Sequence, residues 1–175
     1  MTMERAEFAQ LRIMLVGEKT HGLGLLRAVL GVAGVTRIMQ VEESLRALDL
    51  LRADHYTAVF CEQAAPVEGM PFAQAVRRMP AILNPMIPVF VLKDKARRSD
   101  VEQARDIGAT DVLTVPISPR TVIDKLRTAV QAPRPFILAP DFFGPDRRAK
   151  GRLPFIGKDR RVRVPRKARV DFKGP

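Results

Sequence analysis

Five short apolar runs recur along the first two thirds of the chain, and they constrain the fold more than any other feature. They are Arg12-IMLV-Gly17, Arg37-IMQV-Glu42, Tyr56-TAVFC-Glu62, Ile87-PVFVL-Lys93 and Asp111-VLTV-Pro116. Short, branched and largely continuous runs of this kind predict strands buried on both faces. Between them the spacing turns helical. Leu23, Leu26 and Leu30 recur over His21 to Leu30, and Gly31 and Gly34 punctuate that segment. Ser44 stands as an N-cap before Leu45, Leu48, Leu50 and Leu51, in a helix ending near Asp54. The stretch QAAPVEGMP predicts a loop, and Phe72 to Met79 a third helix. Asp100 to Ile107 follows, with Ser99 as its cap and Gly108 as its stop, and then Pro119 to Val130.

Strands and helices that alternate in this way predict an α/β fold, a five-stranded parallel sheet doubly wound with helices on both faces. Chemistry in such sheets sits outside the carboxyl ends of the strands. That rule singles out Gly17, Glu18, Cys61, Glu62, Lys93, Asp94, Thr114 and Val115.

The charge divides the 175 residues differently. Lys and Arg number 30 against 19 acidic residues, but residues 132–175 hold 13 of the basic and only 4 of the acidic ones, a net +9. Residues 1–131 carry the remainder, a net +2. The expected organisation is a folded body over 11–131 and a basic, mostly irregular tail over 132–175 that holds 7 of the 14 prolines. Such asymmetry points to an anionic partner for the tail.

Several classes are excluded at this level. A single cysteine, Cys61, leaves no internal disulfide, and two isolated histidines, His21 and His55, leave no zinc spacing. There is no P-loop, dinucleotide fingerprint or nucleophile elbow. The opening residues MTMERAEFAQ lack the apolar run of a secretory signal. We expect a cytoplasmic protein with no membrane insertion.

Residues 11–131 resemble a bacterial receiver domain, the CheY-like, flavodoxin-like module of two-component response regulators. The resemblance rests on RIMLV, TAVFCE, the Pro66-to-Gly69 loop, IPVFVL and above all GATDVLTVPIS. It implies a site with an acidic pair after the first strand, a phospho-accepting aspartate after the third, a Ser/Thr after the fourth and a Lys after the fifth. Mg²⁺ wants such carboxylate oxygens, and phosphoryl transfer wants neutralised charge. Here the acidic pair reads Gly17 and Glu18, the acceptor position Glu62, the Ser/Thr position Lys93, the Lys position Val115 and the switch aromatic Val112. The resemblance therefore implies a degenerate pseudo-receiver, non-enzymatic, with no required cofactor and no Mg²⁺. In it Glu62 acts as a fixed charge and forms an ion pair with Lys93. A protein target is expected on the face made by the fourth helix, fifth strand and fifth helix. A phospho-accepting receiver that uses Glu62 or another acid stays open as the alternative.

The tail repeats one element 13 residues apart, Phe143-Gly-Pro-Asp-Arg-Arg148 and Ile156-Gly-Lys-Asp-Arg-Arg161. Arginine forks suit phosphates and the guanine O6/N7 edge, and aspartate accepts from guanine N–H groups. Phe142, Phe143 and Phe155 offer stacking surface. A receiver body with an arginine-rich extension is similar to CheY-like effectors that bind cyclic di-GMP. Arg148 and Arg152 also match an Arg-x-x-x-Arg spacing, although the companion Asp-x-Ser-x-x-Gly motif is absent. The resemblance implies cyclic di-GMP as the first candidate ligand, gripped by Arg147, Arg148, Arg152, Arg160 and Arg161, with Asp146 and Asp159 reading guanine. A tail that binds nucleic acid without base preference is the other alternative.

Overall fold

The computed structural model describes residues 4–18, 20–62, 66–146 and 162–164. A short helix α1 (Arg5–Ala9) leads into strand β1 (Arg12–Val16), helix α2 (His21–Ala33), strand β2 (Arg37–Val41), helix α3 (Ser44–Ala53) and strand β3 (Ala58–Glu62). Two-residue strands β4 (Pro66–Val67) and β5 (Met70–Pro71) pair with each other before helix α4 (Phe72–Arg78). Strand β6 (Val89–Asp94), helix α5 (Arg98–Asp106), strand β7 (Asp111–Val115) and helix α6 (Pro119–Gln131) complete the body. Its sheet runs β2-β1-β3-β6-β7, and every pairing is parallel. The predicted α/β architecture is what the structure shows.

Strand alternation explains why the runs lack a polar face. Met14, Val16, Val59, Cys61, Val89, Val91 and Val112 face α3, α4 and α5 in one buried cluster. Their neighbours Ile13, Leu15, Phe60, Phe90, Leu92 and Leu113 face α2 and α6 in the other. Period-two geometry sends successive side chains to opposite faces, so a sheet covered on both sides needs apolar residues at every position. Phe60 and Phe90 stack at 4.7 Å across the β3–β6 pairing. The two edge strands are the exceptions, with Met39 of β2 46% exposed and Thr114 of β7 exposed.

Some boundaries differ from the sequence expectations. Ser44 is the first residue of α3 and Glu43 occupies the cap position. α5 starts at Arg98, with Asp100 accepting from the Arg97 N–H rather than opening the helix. Gly108, at φ +86°, is the expected stop. α1 carries no sequence periodicity, yet its Phe8 is buried with Leu11 against the α2 side of the core.

The stretch beyond Gln131 is not structureless where it is described. Strands β8 (Phe136–Ala139) and β9 (Phe142–Pro145) form an antiparallel hairpin, and β10 (Val162–Val164) pairs antiparallel with the other edge of β8. β9 packs on α4 and α5. Gly144 lies so close to Gly108 that a Cβ built on Gly144 would stand 2.9 Å from the Gly108 Cα, and one on Gly108 would stand 2.8 Å from the Phe143 carbonyl oxygen. Arg78 donates to the Asp141 carbonyl at 2.7 Å. Packing therefore continues across position 132. Among the described residues no helix is long and apolar enough to cross a membrane.

Candidate functional site

The carboxyl ends of β1, β3, β6 and β7 bring the sequence-selected residues to one end of the sheet. Gly17 follows β1 at φ +141°, a backbone region that favours glycine. A Cβ built there would lie 2.7 Å from Glu62 Oε2, so the carboxylate of Glu62 fills the space that a side chain at 17 would need. The other oxygen, Oε1, accepts from the Thr20 hydroxyl at 2.5 Å. That same hydroxyl oxygen accepts from the Leu23 N–H at 3.3 Å and caps α2. Sequence reasoning missed Thr20. Its signal was a threonine directly before a helical segment.

The expected ion pair between Glu62 and Lys93 does not form. Lys93 instead pairs with Asp100 of α5, and Asp100 also accepts from the Arg97 N–H at 2.7 Å. Strand parity is the physical reason. Glu62 is in register with Leu92, which faces α2 and α6, so Lys93 takes the opposite face with Val91, toward α5. The Lys93 ammonium, with the Arg97 N–H, holds the Asp100 carboxyl below the usual carboxylate range. A carboxylate depressed in the folded state stabilises fully above that range and loses its contribution as pH falls through it. The stability gap between the wild type and Asp100→Asn is thus expected to narrow on acidification in pH-resolved urea titrations. A gap of constant size from neutral to acid would contradict the pairing.

Glu18 is exposed, and Val115 packs on the α2 side of the core, where a Cβ on Gly22 would touch its Cγ2 at 3.5 Å. The end of β7 thus presents a methyl group and no charge. Divalent Mg²⁺ takes several hard oxygens in near-octahedral array. Gly17 contributes no carboxylate, Glu18 contributes an exposed one, and the Glu62 carboxylate is engaged by Thr20. Beside these residues lies a cavity of about 110 Å³ between the sheet and the α4–α5 layer, lined by Cys61, Phe72, Ala104, Ile107 and Val112 among others. Burial pushes the Cys61 thiol up to about 12. Native protein is accordingly expected to stay unlabelled by Ellman's reagent and to release one equivalent on unfolding. Fast labelling of the native state would show that the strand opens there.

A second arrangement was invisible in the sequence. Arg77, on the last turn of α4, is 1% exposed and is the buried charged residue of the described chain. Its Nε donates to the Gly108 carbonyl at 3.0 Å, and its Nη1 to those of Pro85 at 2.7 Å and Ile87 at 2.8 Å. The guanidinium also sits over the Phe136 ring, 5.1 Å from its centroid. Burial pulls Arg77 down to about 9, so it remains a cation at neutral pH. One side chain thereby ties α4, the segment before β6, the end of α5 and the C-terminal hairpin together.

In the tail, Asp146 is half-buried and its N–H donates to the Pro135 carbonyl at 2.8 Å. Arg147, Arg148, Arg152, Asp159, Arg160 and Arg161 lie outside the described residues. Phe143 does not offer the expected stacking surface. It is 3% exposed and packs on Phe136 at 5.5 Å. The first copy of the repeated element therefore owes its Phe and Gly to hairpin docking, because Gly144 is the point of contact with Gly108.

No family model matches the chain, and no curated protein matches it by sequence. Solved structures do match. A response regulator from Desulfuromonas acetoxidans is 22% identical at a TM-score of 0.61, over 69% of this chain and 97% of that one. The receiver domain of a sensor histidine kinase from Pseudomonas aeruginosa, which has a magnesium ion coordinated in its active-site cleft, is 20% identical at 0.59, over 70% and 98%. The chemotaxis response regulator CheY4 of Vibrio cholerae is 20% identical at 0.55, over 67% and 98%. The body of this chain has the fold of CheY-like receiver domains.

Proposed function

We propose that this chain is a non-enzymatic signal-transduction protein, a pseudo-receiver that works by protein–protein interaction without aspartate phosphorylation. The observation that carries this reading is the seat of Glu62. Its carboxylate lies against Gly17 under the Thr20 hydroxyl, with Lys93 drawn away to Asp100 and Val115 at the end of β7. An acid thus stands at the expected acceptor position, with neither the second carboxylate nor the cation that phosphoryl transfer needs. Incubation with acetyl phosphate and Mg²⁺, followed by intact-mass measurement, is expected to show no added phosphoryl group. A mass gain that disappears in Glu62→Gln would establish the phospho-accepting alternative.

The same proposal gives the cationic C-terminal stretch an anionic ligand, with cyclic di-GMP as first candidate, while the α5–β7–α6 face docks the protein target. The net +9 over residues 132–175 supports an anion, and the two Asp-Arg-Arg elements support guanine and phosphate chemistry. Titrations of cyclic di-GMP, GTP and a random RNA at two salt concentrations test it. Tight, saturable binding of cyclic di-GMP with a shallow salt dependence is expected. Equal binding of all three, falling steeply with salt, would instead mark a nucleic-acid-binding tail.

A further inference from the structure

A much larger cavity, of about 1270 Å³, lies at the opposite end of the sheet from Glu62. Its floor is the amino ends of β3, β6 and β7, through Tyr56, Pro88, Phe90 and Thr110. One wall is the second half of α6, and another is the segment between α4 and β6, with Ile82, Leu83 and Pro85. The C-terminal sheet closes it through Pro135, Phe136, Pro145 and Val164. It is a cleft partly open to solvent, somewhat larger than the roughly 300–1,000 Å³ of most ligand pockets.

The cavity persists because the sheet that closes it is held off the floor. Its fixed points lie to one side, at the Gly108–Gly144 contact and at Arg77 over Phe136. Pro133, Pro135 and Pro145 line the cavity too, and their locked φ angles keep the segment from sagging inward.

The lining chemistry says what fits. Most polar groups on the walls are already engaged. Thr110 Oγ1 accepts from the Val89 N–H, the Thr128 hydroxyl donates to the Asp124 carbonyl, and Asn84 Oδ1 accepts from the Met86 N–H. Lys125 pairs with Asp111, and Asp124 with Arg127. What remains for an occupant is a surface of aliphatic and proline side chains with the exposed His55, the Tyr56 hydroxyl and one exposed cation, Arg134, which has no carboxylate partner among the described residues.

We infer that this cavity is a binding site for an amphipathic monoanion, a molecule with an apolar body and a single carboxylate or sulfonate. The body lies on Leu83, Pro85 and Pro135, the accessible apolar part of the lining, and the acid meets Arg134. The site takes Arg134 and the C-terminal strands from the cationic stretch of the proposed function, but of the repeated elements it holds only Pro145, so a dye and a fatty acid probe it apart from cyclic di-GMP.

The test uses the full chain with 8-anilino-1-naphthalenesulfonate as probe and laurate as competitor. Saturable binding of one dye per chain, displaced by laurate, is expected, together with a rise in melting temperature. Arg134→Glu should weaken it tenfold or more, and Arg134→Lys should retain it. Thr128→Trp, at an exposed position on the α6 wall, puts an indole into the cavity and should abolish binding in a protein that melts as the wild type does. Absence of saturable binding, or equal affinity in Thr128→Trp and Arg134→Glu, overturns the inference. So does binding of the dye with a fall in melting temperature, because that marks capture of unfolded chain.

Discussion

Replacing Arg77 by alanine is expected to destabilise the protein by about 2–4 kcal/mol in equilibrium urea unfolding. The three backbone carbonyls of Pro85, Ile87 and Gly108 would lose their donor inside the protein, and the volume of the guanidinium would become a cavity beneath Phe136. Removing a buried charge relieves its own desolvation, which offsets part of that loss and keeps the figure below the sum of its parts. Arg77→Lys is expected to recover little, because an ammonium has no planar fork to reach acceptors on two separate segments. The hairpin should loosen with it, so amide exchange in β8 and β9 should accelerate in the variant before the five-stranded sheet opens. A loss under about 1 kcal/mol would mean that water replaces the guanidinium, and the arginine would then be no tie between hairpin and body.

The second large effect belongs to Gly17. Introducing a carboxylate there by Gly17→Asp is expected to cost about 2–4 kcal/mol, from backbone strain of about 1–3 kcal/mol at positive φ plus the collision with Glu62. The Cβ would stand 2.7 Å from Glu62 Oε2, and the two carboxylates would then repel each other. Shortening the neighbour should relieve much of this. The double variant Gly17→Asp with Glu62→Asp is expected to be more stable than additivity allows by at least about 1 kcal/mol. Gly17→Ala separates the steric part from the charge. Strict additivity in thermal melts would show that the Glu62 carboxylate does not rest against Gly17.

Gly17 and Glu62 are one complementary pair, in which the acid occupies the space that a side chain at 17 would need. Lys93 and Asp100 are another, on the opposite face of the sheet. Neither pair is adjacent in sequence, and each is explained by the face on which its members lie.

The outcome of the sequence expectations follows the same logic. Parity could have told that Glu62 shares a face with Phe60 and that Lys93 shares one with Val91, so the failure of their pairing was legible and overlooked. The start of α5 was not legible, because Ser99 is the better cap on paper and Arg97 has no side-chain acceptor, yet the hydrogen bond from the Arg97 N–H to Asp100 starts the helix earlier. α1 has five residues, too few to display a helical period. β8 and β9 have four each and are flanked by prolines, which read as breakers in the sequence and act as rigid connections in the structure.

By itself the sequence determined the parallel α/β sheet, because local spacing alone dictates which short apolar segments become strands and which leucine-bearing segments cover them. It also determined that the last quarter is cationic, since charge counting needs no coordinates. Tertiary structure alone decided that Thr20 holds Glu62, that Arg77 is buried with no carboxylate partner among the described residues, and that Gly108 meets Gly144 across 36 residues of chain. Such contacts depend on how elements far apart in the chain are brought within a few ångströms, and no local pattern of residues encodes that distance.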